Sequence, residues 1–242
     1  MTATDSKINQ LFNSLDAWRN LPAYQLERRA DIFFSLYLAE VLKKKFDLSE
    51  EPILIPEFPV RYGLIPDAKG TAGENQSFKI DYLAVTKNER RIFFIELKTD
   101  MCSRNEKQDS NMGLAAKVEG HQLFVDIEKM HNKSNAKHKY LALYSYLHEQ
   151  LHTNERPLKM VADGKAKGVI SGTDFEQFFE GLNKIQSCIV YLQPNVVDAK
   201  EGEEYIDFLY FADVVEKHSD YISARFANSL RKWAASEAGM KP

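Results

Sequence analysis

The chain has 242 residues, 44% hydrophobic and 28% charged, which fits a globular protein with a substantial core and excludes a disordered or membrane-spanning chain. Lys and Arg number 32 against 35 Asp and Glu; the formal charge of −3 argues against indiscriminate coating of nucleic acid but permits a local basic groove. No apolar run is long enough to span a bilayer and the polar N-terminus has no signal-peptide core, so the expected location is cytoplasmic, with Cys102 and Cys188 as reduced thiols.

A short helix is expected over Ile8 to Trp18, and a longer one from Tyr24 to Phe46. In the second, Leu26, Ala30, Phe33, Tyr37 and Val41 keep helical spacing, and Lys43, Lys44 and Lys45 close it with the cations that suit a helix C-terminus. Ile53 to Arg61 reads as a strand whose Pro56 and Pro59 point to a sheet edge or a bulge. Phe78 to Val85 is a second strand with Asp81 in its middle, and Lys87 to Arg90 forms a turn into a third. Loops this short leave no room for a crossover helix, so these strands should pair antiparallel. Beyond them the pattern predicts helices over Met112 to Met130, Ala136 to His152 and Thr173 to Leu182. Strands follow at Ser187 to Gln193 and Tyr205 to Phe211, and a last amphipathic helix from Ser219 to Ala235. With no repeat and no linker, the expectation is one α/β domain over 1–242, its core about 24–132 and 187–238, with a helical insertion about 133–186.

The third strand organises the chain. In Arg91 to Asp100, the four apolar residues Ile92 to Ile95 are followed by Glu96, Leu97 and Lys98, and the two charges alternate onto the face of Ile92 and Phe94. A buried carboxylate and ammonium are costly unless they pair or bind an ion. Five acid-x-Lys triplets occur, beginning at Asp5, Asp67, Glu96, Asp163 and Asp198, and only that at Glu96 lies in an apolar strand.

An acid at Asp81 on the second strand, with Glu96-x-Lys98 fifteen residues on across a tight turn, resembles the PD-(D/E)XK nuclease superfamily and its restriction-endonuclease-like fold. The resemblance covers about 24–132 and the strand at 187–193, and implies an α-β-β-β-α-β core with a mixed sheet flanked by helices. It also implies hydrolysis of DNA phosphodiester bonds with Mg²⁺ or Mn²⁺, in restriction, repair, recombination or mobile-element biology. Hard Mg²⁺ takes a few carboxylates plus water. Asp81 and Glu96 would be those ligands, the Leu97 carbonyl a third, and Lys98 would orient or deprotonate the attacking water or stabilise developing charge. The helix-one acid of the family falls on Glu40, or second on Glu27, with Glu57 a competing carboxylate. Some branches carry Gln-x-x-x-Tyr on the next helix; here Gln122 is present but Asp126 stands at the tyrosine position. Gln122 and, more weakly, Lys117 are the candidates for positioning nucleic acid. Pro66-Asp67 supplies a literal Pro-Asp dipeptide, but Asp67 lies in a polar loop, and Asp81 is preferred for its strand and its hairpin. Homodimerisation would bring two such sites to two DNA strands.

Two other readings compete. The fold could bind nucleic acid or act as an assembly module without cleaving. Alternatively, His148-Glu149-Gln150-Leu151-His152 matches the zinc-peptidase motif on a helical stretch. Against the latter, Thr153 to Pro157 ends the helix and no third ligand follows at the required spacing; the plain reading puts His148, Glu149 and His152 on the exposed side of that helix.

Overall fold

The computed structural model describes residues 3–19, 21, 24–65, 73, 75–100, 105–151, 159–160, 166–167, 186–196 and 199–238. Two helices, α1 (Ala3–Trp18) and α2 (Leu26–Lys45), precede β1 (Ile53–Arg61), β2 (Ser77–Val85) and β3 (Arg91–Leu97). Next come α3 (Glu106–Ala115), α4 (Gly120–Lys133) and α5 (Lys137–Leu151), then a small two-stranded pairing of β4 (Lys159–Met160) with β5 (Ala166–Lys167). The chain returns through β6 (Gln186–Gln193) and β7 (Glu203–Asp207) to α6 (Phe208–Val215) and α7 (Tyr221–Ala238).

The result is an α/β architecture around a five-stranded mixed sheet of order β1-β2-β3-β6-β7. β1, β2 and β3 pair antiparallel in sequence, as their short loops require, while β6 joins β3 and β7 joins β6 in parallel. Helices cover both faces. Phe93, Ile95 and Leu97 of β3 pack under α1, α2, α6 and α7, and Ile92 and Phe94 pack under α3, α4 and α5. Phe93 and Phe94 are each fully buried on opposite faces, contributing about 1.5–3 kcal/mol apiece. A strand covered on both sides is expected to read as a continuous apolar run, which is why β3 shows no polar alternation before Glu96.

Two arginines, Arg61 half-buried and Arg225 buried, fasten helices to this frame. Arg61 on β1 reaches Asp126 on α4 through Nε and Nη2, both at 2.8 Å. Asp126, the residue standing at the tyrosine position of the branch motif, therefore has a structural partner. Arg225 on α7 holds α1 through Asn9 at 3.0 Å, Asn13 at 2.7 Å and Asp16 at 2.9 Å.

Several elements differ from the sequence expectation. The strand expected to continue to Asp100 ends at Leu97, although the Lys98 N–H still donates to the Leu192 carbonyl at 2.8 Å. The single helix expected over Met112 to Met130 is two, because Glu119 has a non-helical ψ of 129° and Gly120 restarts the chain. The first of the two begins earlier, at Glu106, where the Asn105 side chain accepts from the Lys107 and Gln108 N–H groups. Tyr205 to Phe211 is not one strand: Asp207 accepts from the Tyr210 N–H at 2.7 Å and caps α6, whose Phe208, Phe211, Ala212 and Val215 keep helical spacing. The helix expected over Thr173 to Leu182 and the Pro66-Asp67 dipeptide lie outside the described residues. No helix among the described residues is long and apolar enough to cross a membrane.

Candidate active site

The site lies where β2 and β3 part. The ladder between them ends at the pair Tyr82–Ile95, so Asp81 stands opposite Glu96 one step on. Rather than continuing the ladder, the Asp81 carboxylate accepts the Leu97 N–H through Oδ2 at 2.8 Å. On the other side Pro56 pairs with Tyr82 and Phe58 with Ile80, which sets Glu57 opposite Asp81. Glu57 has a left-handed φ of 50°, a conformation costly for a residue with a Cβ and common where a site is shaped. Three acids thus lie in a row across three neighbouring strands.

Glu96 is 1% exposed. Its Oε1 accepts from Lys98 Nζ at 2.6 Å and from Gln108 Nε2 at 2.5 Å, whereas its Oε2 is buried with no hydrogen-bond partner among the described residues. A buried carboxylate oxygen left without a donor is costly, and a cation would relieve it.

Asp81, Glu96, Leu97 and Lys98 share a pocket of about 290 Å³ with Glu27, Arg28, Asp31, Glu57, Lys79 and Gln108. Among the described residues that line it, five acids outnumber three cations. The imbalance appears in the ionisation of the carboxyls. Burial, then the Asp81 charge, pushes Glu96 up to about 7 despite the opposing pull of Lys98. Burial likewise pushes Glu27 up to about 7, with Asp81 and Asp100 adding to the rise. Asp81 is raised by burial and by Glu57 and Asp31, against the Leu97 hydrogen bond and Lys98. Burial pulls on Lys98 in the opposite sense, but Glu96, Glu27 and Asp81 together hold its ammonium above its ordinary value. It is protonated at neutral pH.

The helix acid in this pocket is Glu27, not Glu40. Thirteen residues of α2 separate them, about 20 Å along the axis. Glu40 instead pairs with Lys44 and with His218 Nε2 at 2.7 Å, on the far half of the helix. Glu57 does line the pocket, though its side chain is 64% exposed and bonded to Lys79 at 3.0 Å. Gln122 and Lys117 are both exposed, near the start of α4, and neither lines the pocket. The amide that reaches Glu96 is Gln108, whose stretch reads in the sequence as a polar loop; the signal for its helix is Asn105-Glu106, a cap followed by an acid.

Which ions suit this donor set follows from its composition. Among the described residues no group of three or more His, Cys, Asp or Glu side chains is placed to hold a metal ion unaided. Mg²⁺, however, is commonly bound through one or two carboxylates with waters and substrate phosphates completing its shell. Asp81 and the unpartnered Oε2 of Glu96 fit that mode of binding. At the rival motif, His148 is not exposed as expected: it is 8% exposed, packs on Tyr144 and bonds its hydroxyl at 3.2 Å. Glu149 faces solvent, and His152 lies outside the described residues.

Comparison of the chain with protein-family models, with curated proteins and with solved structures returned no match.

Proposed function

We propose that the protein is a metal-dependent phosphodiesterase acting on DNA, on a restriction-endonuclease-like core. The observation that carries this reading is the Glu96 carboxylate: buried, tied through one oxygen to Lys98 and Gln108, and, among the described residues, unpartnered at the other beside Asp81. An ordinary structural ion pair would satisfy both oxygens. Asp81 and Glu96 would hold a divalent ion, which would supply neutralisation of phosphate charge and hydroxide near neutral pH.

The chain's own residues supply the rest. Leu97 fixes Asp81 by its N–H, and Gln108 fixes Glu96, so both carboxylates are positioned before substrate arrives. Lys98 stays protonated, which suits it to stabilise charge developing on the phosphate oxygens rather than to abstract a proton. Glu27, held near 7 at the edge of the same pocket, is suited to proton transfer at neutral pH. Absence of a third clustered ligand among the described residues is the observation favouring a second reading, a non-catalytic nucleic-acid-binding module.

Linear and supercoiled DNA incubated with the protein in Mg²⁺, Mn²⁺ or EDTA separates the two. Metal-dependent cleavage lost in Asp81→Asn and in Lys98→Ala establishes the phosphodiesterase. Retention of DNA in a gel shift with no cleavage by the wild type would establish the binding module instead.

A further inference from the structure

Between α1 and α2 runs an open groove of about 740 Å³ that the chemistry above does not use. Its floor is apolar, with Leu15 and Phe33, and its rim carries Trp18, 49% exposed, and Leu11, 47% exposed. Lys7, Arg28 and Arg29 are the charged residues lining it, with no acid among the described ones. Three cations without an acid are conspicuous in a chain of net charge −3, the more so beside a pocket with an excess of acids. The aromatic groups are also ordered. Trp18 meets Tyr24 edge-on at 6.0 Å between ring centroids, and the Arg29 guanidinium lies 4.8 Å above the Tyr24 ring. Arg225 clamps α1 to α7, so the wall bearing Trp18 is held in place. Arg28 lines both this groove and the pocket of Asp81, Glu96 and Lys98, so the two adjoin at that side chain.

An exposed aromatic face bordered by cations alone is the combination that holds single-stranded nucleic acid: bases stack on the ring while phosphates meet the cations. A duplex keeps its bases stacked on one another and would leave the apolar floor uncovered. We infer that the α1–α2 groove is the docking track for a single-stranded stretch of the DNA substrate, with Trp18 stacking a base, Lys7 and Arg29 contacting phosphates, and Arg28 leading the strand to the acidic pocket. This rests on the phosphodiesterase reading for its choice of DNA.

Binding is measured in EDTA, apart from cleavage, as the fluorescence anisotropy of labelled oligo-dT, with a hairpin duplex and oligo-U as comparison probes. Trp18 fluorescence reports the same event, because the other tryptophan, Trp233, is 1% exposed. The expected result is that oligo-dT binds more tightly than the duplex or oligo-U and quenches Trp18. Trp18→Ala should weaken it roughly tenfold, the effect of losing one stacked base. Lys7→Gln with Arg29→Gln should weaken it further and flatten the dependence on salt by about 0.7 in log–log slope per lost phosphate contact. Lys137→Gln, an exposed cation at the start of α5, should change nothing. Oligo-dT binding that is indifferent to Trp18, Lys7 and Arg29 overturns the inference, as does preference for oligo-U or for duplex. A concentration-dependent dimer in sedimentation that Trp18→Ala dissolves also overturns it, assigning the groove to a second copy of the chain. Loss of cleavage in Asp81→Asn with oligo-dT binding intact keeps the two proposals separately testable.

Discussion

Replacing Glu27 by Gln should make the protein more stable above neutral pH while impairing its function. In the folded chain this carboxyl is pushed up to about 7 from an ordinary 4.5, first by burial and then by the charges of Asp81 and Asp100. A group that binds its proton more tightly when folded contributes stability below its unfolded value, and that contribution is lost as pH rises through the folded one. The loss therefore runs from about pH 4.5 to about 7 and is complete above that. A shift of this size corresponds to about 3 kcal/mol at most. Glu27 is partly exposed, so solvent screening reduces the figure to about 1–2 kcal/mol. Gln keeps the size and removes the ionisation. Urea unfolding of both proteins across this pH range should give midpoints that coincide near pH 4.5 and separate above pH 7. With a slope of about 3 kcal/mol per M, the variant should lead by roughly 0.5 M. A variant less stable than the wild type at high pH, or a gap that does not change with pH, would refute the reasoning. Stability gained by removing a charge that the pocket retains is the trade expected of a functional site.

Divalent cations should act on the same pocket in the opposite way to that burden. Mn²⁺ at about a hundredfold its dissociation constant should stabilise the wild type by about 2.7 kcal/mol, raising its Tm by roughly 5–10 °C at this chain length. Asp81→Asn should lose most of that rise; an equal shift in the variant would place the ion elsewhere. Arg61→Ala takes both 2.8 Å hydrogen bonds from the Asp126 carboxylate, whose side chain is 1% exposed, leaves it the 3.7 Å ion pair with the exposed Lys129, and should cost about 3 kcal/mol by thermal or urea unfolding. Adding Asp126→Leu to that variant should recover most of the loss, and failure to do so would mean that Arg61 acts through packing rather than charge.

Much of the sheet was legible because its signals are local. Ile53–Arg61 has its expected bounds, β2 differs by one residue, and the hairpin required antiparallel pairing before any contact was known. An apolar strand interrupted by Glu96 and Lys98 announces its own anomaly, since the cost of burying two charges is a property of the residues and their alternation. Where local signals competed, the reading failed. Phe208 to Phe211 is apolar enough for a strand, and only the Asp207 cap turns it into a helix. Glu119 and Gly120 break a pattern that periodicity alone would carry through.

What tertiary structure alone decided is which distant residues share the pocket. Glu27 and Glu40 lie on one helix with similar surroundings in sequence, and nothing local says which end of α2 meets the end of β3. The docking of the helix across the sheet makes that choice, sending Glu40 to His218 and Glu27 to Lys98. Gln108 enters the site for the same reason: its partner is twelve residues away in the chain, across the turn from strand to helix. Alternation and hairpin register act within a few residues and can be read directly. The meeting of separate elements depends on the whole core, which is where Glu96 found its amide and Asp81 its helix acid.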